Sequence, residues 1–324
     1  MKTDSGKTGI LLLNFGGPWI LSDVKPFLYR LFVNKNVLVG IPSPLRQLLA
    51  FTIAQVKGPS SVKSYESIGG GSPQLMWTAI QAEGLRELIK SGRVRVEIGM
   101  RSAEPSIETA LERLRVWRAT RLVLLPLFPH YSTTTTGTCF EEVREALSRL
   151  EWSPAVSEIT RWPDNSGYIE LLKMSLREAL ARATAERNGE GPVHVVFSAH
   201  SLPLKIVKRG DPYPEDIART VKAVTKDLDQ PWSLAFQSRN GKLPWLEPYL
   251  EDELKRLGRE GVRRVVIVPI SFVSDHIETL FELDQLYADV ARDSGISKYF
   301  RARCFNGDPR FSRVLYSLLS EAVA

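Results

Sequence analysis

A chain of 324 residues, 43% hydrophobic and 25% charged, has ordinary globular composition. It is longer than one core usually supports, so it reads as two domains or one large α/β unit with internal symmetry, and not as a disordered chain. A net charge of +6 and a pI near 9.3 suit an acidic small molecule or an anionic membrane, while the scatter of cations without a basic stripe argues against nucleic acid.

The N-terminus "MKTDSGKTGILLLNFGG" lacks the h-region and cleavage site of a signal peptide, and no run approaches the ~20 apolar residues of a membrane span. Cys139 and Cys304 are far apart, which argues against a disulfide framework or a cysteine-based zinc or iron–sulfur site. A reducing cytoplasm fits best.

Along the chain, "GILLLNF" (9–15) predicts the first strand. From Pro26 to Val56 follows a segment rich in large apolar residues with isolated cations, which reads as two core helices separated by "IPSP". "GGGSP" (69–73) lacks the lysine and the spacing of a P-loop. "VEIGM" (96–100) and "RLVLLPLF" (121–128) predict two more strands. Asn165 to Asn188 has helical spacing of apolar residues and is expected to connect the domains.

"VHVVFSA", "SLAFQS" and "RRVVIVPI" predict three further strands, and "DPRFSRVLYSLLSEAVA" a closing helix with Pro309 at its first position. The alternation reads as βα units on parallel sheets, with strands covered on both faces. Ala119–Ser132 and Gly261–Ser274 share one order, basic residue, apolar run, proline, apolar, serine, so the halves repeat. The expected architecture is therefore two similar Rossmann-like, doubly wound α/β domains, residues 1–164 and 165–324, facing a central cleft.

Strands end in "NFGG", "MRSAE" and "PHYSTTTTG" in the first half and in "SAHS", "QSRNG" and "SDHIE" in the second. The carboxyl ends of parallel strands are where such sheets hold ligands. Three of the four histidines, His130, His200 and His276, follow strand-like runs; His194, at the start of one, reads as structural. In "SDHIETLFELD", Asp275, Glu278 and Glu282 are spaced to form one acidic ridge, with Ile277, Leu280, Phe281 and Leu283 toward the core. A metal site, a proton-transfer site and a helix start complementing its own dipole all fit that stretch. HExxH, paired CxxC, GxSxG and Walker A motifs are absent, and two histidines with a row of carboxylates suit moving protons and handling a divalent metal transiently.

At this point the residues resemble a known family, the ferrochelatases. "LLLNFGGP", "YESIGGGSP", "GMRSAEP", "PHYSTTTTG", "FSAHSLPLKIVKRGDPYP", "FQSRNGKLPWLEP" and "SDHIETLFELD" follow the family's motifs, in its order, across essentially the whole chain. The resemblance implies a porphyrin cleft between two Rossmann-like domains and insertion of ferrous iron into protoporphyrin IX. It implies His200 and Glu278 as the facing catalytic pair, both able to meet the metal, with His276 supporting Glu278. Asp275 and Glu282 would extend the relay.

By the same resemblance Tyr65, Ser72, Arg101, Tyr131 and Trp245 belong to porphyrin binding, with "IGGGSP" and Trp245 holding the ring's shape. Each has a plainer alternative: Arg101 as a strand-end ion pair, Ser72 as a turn residue, Tyr65 as a core aromatic. No tightly bound cofactor is expected, iron being substrate, and the missing cysteine-rich extension implies no iron–sulfur cluster. The 26–56 segment corresponds to the lip of the cleft, which can dip into an anionic membrane surface, giving a cytoplasmic protein with peripheral contact at the inner face.

The sequence departs from the family at Ser102, where tyrosine is common, at His130, where glutamine is, and at Val56–Lys57, where an arginine pair is. These positions bear on propionate contacts and porphyrin selectivity, not on the catalytic pair. A chelatase for coproporphyrin III or another tetrapyrrole, and a non-catalytic porphyrin or metal carrier, are the alternatives.

Overall fold

The computed structural model describes residues 6–35, 37–38, 40–185, 191–239, 241 and 243–323. Packing divides the chain into two units, Met1–Arg161 with Asn306–Ala324, and Trp162–Phe305.

The first unit runs β1 (Thr8–Asn14), α1 (Val24–Phe32), α2 (Ser43–Ser67), α3 (Gln74–Ile89), β2 (Val94–Met100), α4 (Ile107–Val116), β3 (Arg121–Pro126), α5 (Thr136–Arg149) and β4 (Ala155–Glu158). Its sheet is wholly parallel, in the order β2-β1-β3-β4. Leu11, Leu13, Leu122 and Leu124 join residues of α4 and α5, among them Leu111, Leu114, Phe140 and Val143, in one buried cluster. Ile10 and Leu12 are buried as well, and α3 packs on β1 and β2. A strand buried on both faces has no reason to alternate polar with apolar residues, which is why β1 and β3 read as unbroken runs.

The second unit repeats the plan with α6 (Ser166–Ala185), β5 (Val193–His200), α7 (Leu204–Val207), α8 (Tyr213–Thr225), β6 (Trp232–Gln237), α9 (Leu250–Arg259), β7 (Arg264–Pro269), a π-helix (Glu278–Leu286), α10 (Tyr287–Asp293) and β8 (Lys298–Arg301). Its parallel sheet has the order β6-β5-β7-β8. Thus β3 and β7, the strands of the repeated sequence stretch, hold the same place in each sheet. In each, the first strand is central and the chain's order reverses beside it, which makes a switch point at the carboxyl ends.

Six strands match the expected ones. The remaining two, β4 and β8, are four-residue edge strands whose residues are exposed or half-buried; without a continuous apolar run they leave no sequence signal. The helix expected from Asn165 to Asn188 is α6, which belongs to the second unit; Glu186–Asn188 lie outside the described residues. It is anchored by the Tyr168 hydroxyl, which donates to the Ile270 carbonyl at 2.9 Å, and by an edge-to-face contact between Trp162 and Tyr168 at 5.1 Å.

Two expectations need correction. The closing helix, α11 (Pro309–Val323), starts at the predicted residue, with Asp308 Oδ1 accepting from the Arg310 amide at 2.8 Å. It belongs to the first unit, however, and not to a domain running from 165 to 324. It packs on α3, burying Phe311 and Leu315, and the approach is close because Gly84 has no side chain: a Cβ there would come within 2.4 Å of Ser312 Oγ.

The second correction concerns residues 26–56. Two helices do form and pack against each other, but α2 is not a core helix: Leu45, Leu48 and Phe51 are 58%, 63% and 54% exposed. Its buried positions up to the final turn are the small residues Ala50, Ala54 and Gly58, so the large side chains project outward.

Candidate active site

The carboxyl ends of β5, β6 and β7 gather the second unit's polar residues. Parallel register sets His200, the last residue of β5, beside Gln237, the last of β6. The chain leaving β7 supplies Ser271, His276 and the π-helix. His200 is fixed at both ends: its amide donates to Ser271 Oγ at 3.1 Å, and its Nδ1 donates to the Ser201 carbonyl at 2.5 Å. Because the carbonyl can only accept, Nδ1 carries a proton and Nε2 is the nitrogen left for chemistry. That Nε2 lies 3.5 Å from Glu278 Oε1.

The other oxygen, Glu278 Oε2, lies 3.5 Å from His276 Nε2. Glu278 is therefore set between two imidazoles, as the resemblance implied. The His276 ring packs edge-on to Phe272 at 4.6 Å. Burial holds its pKa below the ordinary histidine value, so it meets Glu278 as a neutral ring. Burial also acts to lower the pKa of His200, but the Glu278 charge and hydrogen bond prevail and raise it to about 9. Burial works against ionisation of Glu278 too, and the charge and hydrogen bond of His200 overcome it and hold the carboxyl at about 2. In the free protein the pair is an imidazolium facing a carboxylate.

Glu282 behaves oppositely. Burial and the neighbouring Glu278 charge raise its pKa to about 7, against donors on one of its oxygens: Oε2 accepts from Ser238 Oγ at 2.5 Å and from Gln237 Nε2 at 3.1 Å. Gln237 also donates to the Glu278 carbonyl at 2.9 Å and accepts from Ser198 Oγ at 2.7 Å. One fully buried amide thus ties the two glutamates to the end of the sheet.

The segment predicted as an ordinary helix is wound as a π-helix from Glu278 to Leu286. The i→i+5 pattern widens each turn and is frequent at functional sites. It changes which residues point inward: Thr279 and Leu283 are fully buried, whereas Ile277, Leu280 and Phe281, expected in the core, are half-buried. Asp275, predicted on the acidic ridge, is engaged instead, accepting from Thr279 Oγ1 at 2.8 Å and pairing with Arg301 Nη1 at 3.0 Å. Among the described residues no group of three or more His, Cys, Asp or Glu side chains could hold a metal ion.

The remaining expected residues are spread over both units. Trp245, half-buried, lies in the loop after β6, which is docked by bonds from the Leu246 amide to the Leu202 carbonyl and from Ser201 Oγ to the Leu246 carbonyl. In the first unit, Arg101 at the end of β2 is only 8% exposed and pairs with Glu142 at 3.5 Å, the strand-end ion pair that was its plainer alternative. Tyr65 is buried in the last turn of α2. Ser72 is buried, its amide donating to the Pro18 carbonyl at 2.7 Å; Gly17 must lack a side chain here, since a Cβ would sit 2.6 Å from Ser72 Cβ. Tyr131 is half-buried beside Gly137. His130 is buried, with its pKa driven down to about 3 by desolvation, so it is a neutral core histidine. His194 bonds Ser233 Oγ at 3.0 Å, as a structural residue would.

Sequence reasoning did not single out Gln237, Ser271, Tyr213 or Arg301. Gln237 carried a signal, ending β6 where His200 ends β5. Tyr213 and Ser271, bonded to each other at 2.6 Å behind His200, meet only in the fold. In the first unit the buried set Asn14, Gln74 and Thr78, joined at 3.1 and 3.0 Å, was likewise not foreseen.

A family model described as Ferrochelatase matches residues 7–323. The chain is 40% identical over 326 residues to "Ferrochelatase" of Synechococcus sp. (strain JA-3-3Ab), covering 97% of this chain and 93% of the other. It is 37% identical over 323 residues to "Ferrochelatase, mitochondrial" of Homo sapiens, covering 97% and 75%. Of solved structures, "SirB from Bacillus subtilis with Fe3+" matches with a TM-score of 0.55 at 14% identity, covering 98% and 96%. CbiX, described as the terminal enzyme for biosynthesis of siroheme in denitrifying bacteria, matches with a TM-score of 0.53 at 12% identity, covering 98% and 100%. At those identities the likeness to the solved structures is one of fold.

Proposed function

The chain belongs to the ferrochelatase family, and on that premise we propose that it inserts ferrous iron into protoporphyrin IX to give protohaem, at the His200–Glu278 pair. The observation that carries the reading is the placement of Glu278 within 3.5 Å of two histidine nitrogens at a sheet's carboxyl edge.

Insertion must remove two pyrrolic protons while a dication approaches the ring nitrogens. Glu278, held ionised, offers that dication a negative charge. As the dication approaches Glu278, the attraction that keeps His200 protonated weakens, and the Nε2 proton passes to solvent. His200 then has an open Nε2 lone pair to take the two pyrrole protons in turn, handing each on to solvent, since Nδ1 stays committed to the Ser201 carbonyl. Glu282, with a pKa of about 7, is matched to receive and release protons near neutrality. His276 meets Glu278 as a neutral ring and keeps its second oxygen oriented.

Of the residues assigned to porphyrin by resemblance, Tyr131 and Trp245 are half-exposed and are the ones this reading gives to the macrocycle. Tyr65, Ser72 and Arg101 are buried and shape the loops. No tightly bound cofactor is required. No helix among the described residues is long and apolar enough to cross a membrane, but the outward Leu45, Leu48 and Phe51 of α2 support peripheral contact with an anionic membrane at its cytoplasmic face.

The deciding experiment incubates the purified protein anaerobically with ferrous iron and protoporphyrin IX and follows loss of free-porphyrin fluorescence, beside Glu278→Ala. Catalytic haem formation that vanishes in the variant is expected. Stoichiometric binding without turnover would make the protein a carrier, and turnover only with coproporphyrin III would move it to that substrate.

A further inference from the structure

The π-helix bearing Glu278 and Glu282 is an unusual winding, and such a segment needs contacts from outside itself to persist. One side chain supplies them from the far edge of the sheet. Arg301, the last residue of β8, grips Asp284 with two parallel bonds, Nε to Oδ1 at 2.6 Å and Nη2 to Oδ2 at 2.8 Å. Its Nη1 reaches Asp275 at 3.0 Å. Arg301 and Asp275 are 11% and 13% exposed, so that contact is largely shielded from water, while Asp284 stands at the exposed side; all three bonds are charge-assisted.

Asp275 lies in the non-helical entry ahead of the winding and Asp284 within it, and a single guanidinium holds both, so the entry and the second half of the π-helix are tied to the same point at the end of β8. We propose that Arg301 is a positioning residue that selects the π winding by clamping Asp275 and Asp284, and that Asp275 belongs to this clamp and not to the proton or metal relay. The inference builds on the functional reading above, since what the clamp positions is Glu278 against His200 and Glu282 against Gln237. The second bond made by Thr279 Oγ1 on Asp275 tightens the same entry turn.

The test compares wild type, Arg301→Lys, Asp284→Asn and Asp275→Asn as full chains. Lysine keeps the charge but cannot make the forked contact, and Asp284, on the exposed side of the clamp, provides a variant that preserves the buried pair. Hydrogen exchange of the 278–286 amides is expected to speed up about tenfold or more in Arg301→Lys and Asp284→Asn. With protoporphyrin IX and ferrous iron, kcat is expected to fall about 10- to 100-fold, as for a catalytic group displaced by about 1 Å, while KM for iron stays within about twofold. Asp275→Asn should follow the same pattern, and Arg301→Lys with Asp275→Asn should lose no more than the worse single variant.

Unchanged exchange in Arg301→Lys overturns the clamp. Asp275→Asn raising KM for iron with wild-type exchange, or multiplying the loss of Arg301→Lys, returns Asp275 to the relay. Wild type making no haem sinks the functional reading alone, and the exchange arm then decides the clamp by itself.

Discussion

Replacing Glu282 by glutamine tests the electrostatics of the site without relying on turnover. Burial and the Glu278 charge carry the Glu282 carboxyl from its ordinary 4.5 to about 7. A raised carboxyl pKa means that the folded chain keeps a proton the unfolded chain has released. Stability from this group is therefore full below about pH 4.5 and is lost as pH rises through 7. At about 1.4 kcal/mol per tenfold change in proton affinity, that span corresponds to roughly 3 kcal/mol, reduced to about 2 kcal/mol by the water that reaches a half-buried side chain. Glutamine cannot ionise, and its oxygen can still accept from Ser238 and Gln237. Urea unfolding of both proteins at pH 5 and pH 8 is expected to show near-equal stabilities at pH 5, with Glu282→Gln about 2 kcal/mol more stable at pH 8. The same difference at both pH values would refute the reasoning, because it would mean that Glu282 ionises in the fold as it does in water.

His200→Ala should keep porphyrin affinity within about threefold by fluorescence titration and lose about 10²- to 10⁴-fold in turnover, the usual range for a positioned acid–base group; undiminished turnover would remove His200 from the chemistry. Leu48→Asp with Phe51→Asp should abolish flotation with anionic vesicles at unchanged thermal stability, and equal flotation would exclude α2 as the contact. In Gly71→Ala a Cβ would stand 2.1 Å from the Trp19 carbonyl oxygen, so the loops after β1 and α2 must separate. A loss of about 1–3 kcal/mol in denaturant unfolding is expected, and a neutral change would show that these loops are not packed as described.

The chain's own pattern determined a good deal. Runs such as "RLVLLPLF" and "RRVVIVPI" are apolar without alternation because both faces of β3 and β7 are covered, a local statement that any reader of the chain can make. Parallel strands carry their polar residues out at the same edge, so His200, Gln237 and the "SDHIE" stretch were bound to meet once the βα alternation was recognised. The closing helix declared its start at Asp308–Pro309 for an equally local reason, a cap followed by a residue that needs no amide partner.

Tertiary structure decided what local patterning does not carry. The π winding has the composition of an α-helix, and the pairs that accompany it join residues 275 and 284 to 301, across a strand with no sequence signal of its own. The outward Leu48 and Phe51 have helical spacing like core residues; only the small Ala50, Ala54 and Gly58 on the other face show which side is covered, and that depends on α1. α11 lies with the first unit because Gly84 leaves room for Ser312, a fit between positions more than two hundred residues apart. In each case the deciding contact is long-range, and its energy belongs to a pair of side chains that the order of the chain does not place together.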